Sequence, residues 1–450
     1  MLQPGQSEKY ESGLKSAQEL FSMDQVDLAV ETLNKILPLA PDEGKAAQVH
    51  CRLGEYLMKM SDYEQAVLHL ESAIVNLFSR PECLELFYAY RNIAWIYWRQ
   101  GYIERSAGFA EGARSSIELR ESLNDQETLL ARASLHHLQG LLCGARSEDQ
   151  AAEDHYRREA DLLIQCGHQD RLGPVYGNIC GICRLRGDYA KALDYQNQAL
   201  EIARKAGDML SVGIGYNNLG EIYHNLGAGA KAQEYFENYL EINGVIGNAV
   251  GNCFGLSGLA RVFMDRGNFQ EAEHALDRAL EIARDIKSKS RESGILADQA
   301  VLSCKTGKPG EALEKIEQAM EINKNTEQTQ SQWHLLVKAQ ALHLLAADYP
   351  GCLEQSRKIL EEMLQQPLRA DDELAFSLTE LTIEARLLLA QVHRENGGKD
   401  AARSNLRQAR EGIDLIASNL EEDLRKGFLS KPSIRQAAEL EARLEEKTAE

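Results

Sequence analysis

Residues Gly213–Ile242, GIGYNNLGEIYHNLGAGAKAQEYFENYLEI, read as two amphipathic helices joined by a tight turn at Gly227–Gly229. Leu219, Ile222, Tyr223, Phe236 and Leu240 form an apolar stripe at helical spacing. Gly220 and Ala232 stand where the two helices must cross closely. Shifted by forty residues, the pattern returns: Gly187, Gly227, Gly267 and Gly307 mark the turn, and Ala192, Ala232, Ala272 and Ala312 the close contact. Glu-Ile pairs at 201–202, 241–242, 281–282 and 321–322 end each second helix. One such pair cannot bury its apolar face alone, so neighbours must stack on one another. The chain is a repeat protein.

The order Leu219-Gly220, Tyr223, Gly227, Ala232, Phe236 resembles the tetratricopeptide signature. The period of forty, against thirty-four in that signature, is similar to its longer-helix variety. The resemblance implies an all-α, right-handed superhelical solenoid of antiparallel helix pairs, with a concave groove lined by the first helix of each pair. It also implies a binding scaffold and not an enzyme.

About ten pairs can be laid along the chain. A degenerate first pair lies near Tyr10, Ala17, Ala29 and Leu33, and others follow at Gly54, Ala94 and Gly140, the interval stretching near Asn124-Asp125. After the strictly registered block, the unit opening at Trp333 puts Cys352 at the Ala place, and Pro367 with Asp371-Asp372 precedes a last unit running from Leu389-Ala390 to Ala409. The prolines fit this parse. Pro174, Pro309, Pro350 and Pro432 fall in first turns, Pro38, Pro41, Pro81 and Pro367 between helices, and Pro4 in a frayed start. Residues 1–418 are therefore read as the solenoid and 419–450 as capping helices with a frayed tail. The run LRKGFLSKPSIR is also similar to the close of repeat arrays fused to bacterial signalling proteins such as cyclases, kinases or AAA-type ATPases. That similarity implies a sensory or docking arm.

A formal charge of −19 argues against nonspecific binding to nucleic acid or an anionic membrane. No apolar run reaches the ~18 residues that span a bilayer. The first residues lack the apolar core of a signal peptide, and nine scattered cysteines suit reduced thiols, so a cytoplasmic location is expected. No phosphate loop, His-Glu-x-x-His zinc motif or Gly-x-Ser-x-Gly elbow occurs, so no catalytic residue, metal or cofactor is expected. Cys180 and Cys183 have redox spacing but occupy the places of Gly220 and Tyr223, so they read as core, leaving a thiol-based enzyme as the remote alternative. His136 and His137 diverge by about 100° on a helix, which does not build a metal site.

The resemblance implies a partner face on the first helices, two residues before and one, four and five after the small Gly or Ala. That offset selects Asn92, Trp95, Trp98 and Arg99, with Arg91 beside them, and Arg52 in an earlier unit. It then selects Asn178 and Arg184, next Asn218, Glu221, His224 and Asn225, and next Arg261 and Met264. Asn92, Asn178 and Asn218 share one place. An amide donates and accepts, which suits the backbone of an extended peptide and equally suits bridging within a helix pair. Trp95 and Trp98, two of only three tryptophans, offer large apolar area to a partner or to the next repeat. Arg91, Arg99, Arg184 and Arg261 match a protein or peptide with acidic and apolar side chains. The expected function is a protein–protein interaction scaffold that binds a peptide or protein segment. The alternative is a ligand-gated regulatory or sensory module of a signalling assembly.

Overall fold

The computed structural model describes residues 4–80, 82–120, 125–325, 332–365 and 378–445. Pro81, Asn124, Pro367, Asp371, Asp372 and residues 446–450 of the tail lie outside them. All regular structure among the described residues is helical, without a strand. Two compact units are present, Met1–Val175 and Tyr176–Glu450.

The first unit contains α1 (Pro4–Ser22) with α2 (Val26–Ile36), α3 (Glu43–Lys59) with α4 (Tyr63–Leu77), α5 (Leu84–Arg99) with α6 (Ile103–Glu118), and α7 (Gln126–Ala145) with α8 (Asp149–Gln165). The division falls within α9 (Leu172–Leu185), which is followed by α10 (Tyr189–Ala206). The second unit continues with α11 (Met209–Asn225) and α12 (Gly229–Ile246), α13 (Ala249–Asp265) and α14 (Phe269–Asp285), and α15 (Lys289–Lys305) and α16 (Pro309–Asn325). Then come α17 (Gln332–Leu345) and α18 (Gly351–Gln365), and α19 (Leu378–Glu395) and α20 (Lys399–Ser418). The chain closes with α21 (Glu422–Leu429) and α22 (Pro432–Glu445), which pack on α19 and α20. This is the all-α array of helix pairs with a closing element that the repeat implied.

Local chemistry sets the period. From α13 to α16 each helix has 17 residues, and the turns carry a central residue of positive φ: Gly267 at 79°, Lys287 at 56° and Gly307 at 74°. At the first of these turns, Asn268 N–H returns to the Phe263 carbonyl at 2.9 Å and Gly267 N–H to that of Met264 at 3.2 Å, satisfying carbonyls that the ending helix would strand. Helix crossing is set by missing side chains. A Cβ on Gly220 would meet the Phe236 ring at 2.7 Å, and one on Gly258 would meet it at 2.5 Å. Phe236 is thereby held between two successive first helices.

A second repeat feature lies four residues before the small position, where each first helix meets the second across an aromatic pair. His50 faces His69, Tyr90 faces Phe109, His136 faces His155, Tyr176 faces Tyr195 and Tyr216 faces Tyr235. His136 and His137 do diverge, His137 meeting Glu159 at 3.0 Å.

Pro309 and Pro432 open helices, Pro174 sits in the first turn of α9, and Pro350 directly precedes α18. Pro4 begins α1 instead of lying in a frayed start. In α18 the buried small residue is Ser356, whose hydroxyl donates to the Ala339 carbonyl at 2.8 Å, while Cys352 is only half-buried. The turn before α18 is longer than its counterparts, which displaces the register there. Among the described residues no helix is long and apolar enough to cross a membrane.

Candidate functional site

In the first unit, Trp95 is half-buried with its ring edge-on to Tyr63, centroids 6.3 Å apart. The Arg99 guanidinium lies 5.6 Å from the Trp95 ring and donates from Nε to the Tyr63 hydroxyl at 2.9 Å. Trp98 packs against the cluster of Ala94, Ala110, Leu138 and Leu142, so it also reaches the next repeat. Asn92 is buried. Arg91 stacks 5.7 Å from the Tyr88 ring, and burial pulls its guanidinium below the ordinary value. Arg52 donates to Gln18 at 3.3 Å on a separate helix pair.

The second unit carries two adjoining cavities. The smaller, about 230 Å³, is lined by first helices alone: Arg184 of α9, Asn217, Asn218 and Glu221 of α11, Phe254, Ser257 and Arg261 of α13, Arg291 and Asp298 of α15, and Trp333 of α17. The larger, about 430 Å³, shares Arg261, Asp298 and Trp333 with it and runs on to α19 and α22. Its lining includes apolar side chains, Met264, Val301, Leu344, Leu387, Leu388 and Leu440, and charged ones, Asp265, Lys305, Glu384 and Lys431.

Ion pairs between successive repeats build the charged part of the lining. Arg261 Nη2 lies 2.5 Å from Glu221 Oε1 and Nη1 lies 3.4 Å from Asp298 Oδ2. One guanidinium thus serves two buried carboxylates and favours the nearer. Burial, opposed by Arg261 and reinforced by Glu221, pushes Asp298 up to about 6. Arg261 is itself held above its ordinary value, because Glu221, Asp298 and Asp265 together outweigh its burial. Glu221 Oε2 and Arg261 Nε are buried without a hydrogen-bond partner among the described residues. Further along, His224 donates from Nε2 to Asp265 Oδ2 at 3.0 Å, and Lys305 reaches Asp265 Oδ1 at 3.3 Å. Burial pushes the Asp265 carboxyl up, but His224, Lys305 and Lys431 outweigh it and hold the group well below the usual carboxylate range.

The last element then folds back on the first ones of this unit. Lys431 Nζ donates to the Asn225 carbonyl at 3.1 Å and to Glu380 Oε1 at 2.9 Å, and the Tyr189 hydroxyl donates to the other oxygen of Glu380. Thr379 Oγ1 reaches the Leu185 carbonyl at 3.4 Å. Burial and Glu380 push the Glu384 carboxyl up, against the pull of Lys431 and Ser433.

The expected residues are therefore distributed as follows. Arg184, Asn218, Glu221 and Arg261 line the smaller cavity, and His224, Arg261 and Met264 the larger. Asn225 is fully buried and offers its carbonyl to Lys431. Asn218 Nδ2 donates to Gln196 Oε1 of the preceding helix at 2.9 Å, and Asn178 is half-buried and lines neither cavity. Asp265, Asp298, Cys304 and Lys305 were not selected from the sequence, although the same offset applied to Ala260 and Ala300 reaches them. Lys431, Ser433 and Gln436 carried no repeat signal at all. Burial pushes the Cys180 thiol up to about 12 and that of Cys304 up to about 11, the opposite of an activated thiolate. Among the described residues no group of three or more His, Cys, Asp or Glu could hold a metal.

Models of the tetratricopeptide repeat match residues 172–243 and 256–286. The array has the tetratricopeptide repeat architecture. No curated protein matches this chain. Among solved structures it is similar to a Rap protein complexed with competence and sporulation factor, at TM-score 0.57 and 15% identity, over 84% of this chain and 100% of that one. It is similar also to NprR in complex with its cognate peptide NprX, at TM-score 0.54 and 13% identity, over 82% of this chain and 99% of that one. A third similar structure is aspartyl phosphate phosphatase F from Bacillus subtilis, at TM-score 0.54 and 11% identity, over 82% of this chain and 94% of that one. The last corrects an expectation. A tetratricopeptide fold of this kind is found in an enzyme, so the step from scaffold fold and missing motifs to "not an enzyme" does not hold.

Proposed function

We propose that this chain is a ligand-gated regulatory module whose second unit binds a short regulatory peptide against first helices α9 to α19. Beside the smaller cavity that Arg184 and Asn218 line, the carrying observation is the adjoining cavity of about 430 Å³, lined by both apolar and charged side chains. Its size falls in the range of roughly 300–1,000 Å³ usual for ligand sites, and convergent polar groups on an apolar wall are what orient a ligand there. The peptide complexes among the similar folds favour this reading over a general scaffold. Asn218, Arg184 and Arg261 are the residues we assign to peptide contact, with Glu221, His224 and Met264 beside them. We assign Trp95, Arg99 and Arg91 to a protein-contact face of the first unit, supported by the half-exposed indole with a guanidinium over it. Residues 419–450 are read as the closing element of a solenoid spanning 1–418, and the location as cytoplasmic.

A thermal-shift screen of short synthetic peptides tests the peptide reading. A true ligand at about a hundredfold its Kd should stabilise the protein by about 2.7 kcal/mol. Arg184→Ala and Asn218→Ala should weaken that binding. Arg184→Ala should leave the ligand-free Tm within a degree or so of wild type, since its side chain is not fully buried, whereas Asn218→Ala also strands the buried Gln196 amide and should lower the Tm by a few degrees. A screen without a binder, or binding that both variants leave intact, sinks the assignment.

A further inference from the structure

The second unit is shut by a segment that peptide contact alone does not require. We propose that α21 and α22 form a latch, with Lys431 as its positioning residue, and that this latch gives an open face of first helices the further wall that makes it a cavity. Pro432, Ser433, Gln436, Ala437 and Leu440 make one wall of that cavity, so the wall exists only while α22 is in place.

Short helices of 8 and 14 residues are marginal by themselves, so their position depends on what pins them. Lys431 is the pin. It is a largely buried cation that ties the start of α22 to the C-terminal end of α11 through the Asn225 carbonyl, and to α19 through Glu380. Burial disfavours its charge, but Glu380, Glu384 and Asp265 outweigh that and hold it protonated. Glu380 in turn accepts from Tyr189 at the start of α10, so one carboxylate joins three distant parts of the unit. The backbones close as well. A Cβ on Gly227 would lie 2.5 Å from the Gly427 carbonyl oxygen, and one on Gly427 would lie 2.9 Å from that of Leu226. Only two glycines permit this approach, because in each case the obstacle is backbone and cannot rotate away.

A ligand that touches both α22 and the first helices binds only the shut state, and therefore raises its population. This deepens the peptide-binding reading by naming how the same cavity is regulated. Its test needs no peptide, so latch and peptide binding can fail separately.

Hydrogen exchange on the full chain reads the latch directly. Lys431→Met leaves Glu380 buried and short of its cation, so amides of α21, α22 and the Asn225–Ala228 turn should exchange about a hundredfold faster, with α14 and α16 unchanged. The dye 8-anilinonaphthalene sulfonate should fluoresce more strongly as Leu387, Leu388 and Trp333 open to solvent. Lys426→Met, which removes an exposed pair with Glu422, should change neither readout. Should Lys431→Met not fold, the double variant Lys431→Met/Glu380→Gln removes the stranded charge and should show the same local opening. Acceleration spread evenly over the second unit would make Lys431 a general stabilising ion and overturn the latch. So would unchanged exchange, or change confined to α21 and α22 without a gain in dye fluorescence.

Discussion

The two units use the same helix pair and surface their first helices differently. In the first unit the inward places of α5 carry Trp95, Trp98 and Arg99, held by aromatic and cation–π contacts that leave Arg99 exposed. In the second unit the corresponding places carry polar partners one repeat apart: Glu221 to Arg261, His224 to Asp265, and Asp265 to Lys305. A forty-residue period aligns such partners along the stack, so each ion pair also fixes the spacing of neighbouring repeats. The lesson is that a repeat position is a place, and its chemistry is free. The same place carries stacked aromatic and guanidinium groups in one unit and cross-linked charges lining a cavity in the other.

The sharpest way to break this comparison is to remove one cation from each unit. Arg261→Ala strands two buried carboxylates and should destabilise by about 3–5 kcal/mol in denaturant unfolding. Arg99→Ala removes an exposed stacking contact and should cost no more than about 1 kcal/mol. Equal losses would show that the charged lining is not a buried network.

Acidification offers a second separation. In the first unit burial lowers the pKa of His50, His69, His136 and His155, with His136 brought from 6.5 to about 4. For such groups the unfolded chain takes up the proton first, so their contribution is whole above pH 6.5 and declines as pH falls towards 4. In the second unit Asp298 is raised from 3.8 to about 6, so the folded state holds its proton more tightly, and its contribution grows as pH falls through that window. Glu384, also raised, acts with Asp298, while His334, lowered by burial to about 4, opposes them. The first unit should therefore lose its structure before the second between pH 6.5 and 4, each group contributing a slope of at most about 1.4 kcal/mol per pH unit. Residue-resolved hydrogen exchange across that range checks this, and a second unit that opens first would reverse it.

The smallest expected effect tests the turns. Lys287 adopts the left-handed conformation that its counterparts reserve for Gly247, Gly267 and Gly307. Lys287→Gly should stabilise by about 1 kcal/mol, and Gly247→Ala, with no neighbour near its Cβ, should destabilise by about 1–2 kcal/mol through backbone conformation alone. Calorimetry of both variants would show whether turn conformation or side-chain contact sets the period.

Much of this molecule was legible because its determinants are local. Helix lengths follow from apolar spacing, turns from glycine, and the close crossing at Gly220 and Ala232 from small residues that recur every forty positions. The inward offset reached Arg184, Asn218, Glu221, Arg261 and Met264, and carried one repeat further it reaches Asp298 and Lys305. Ser356 replaced Cys352 as the small contact because a longer turn broke the register that made the rest readable.

The closure of the second unit was not legible, because it joins residues that no period relates. Tyr189 finds Glu380, and Lys431 finds both Glu380 and a carbonyl more than two hundred positions earlier in the chain. In the sequence Lys431 is one basic residue before a proline, and burial against two carboxylates is what gives it a role. The sequence by itself determined the repeat and its helices, since each depends on neighbours within one period. Only the tertiary structure decided which inward residues meet across the cavity and what closes it, since those contacts arise where the accumulated geometry of many repeats brings the ends of the unit together.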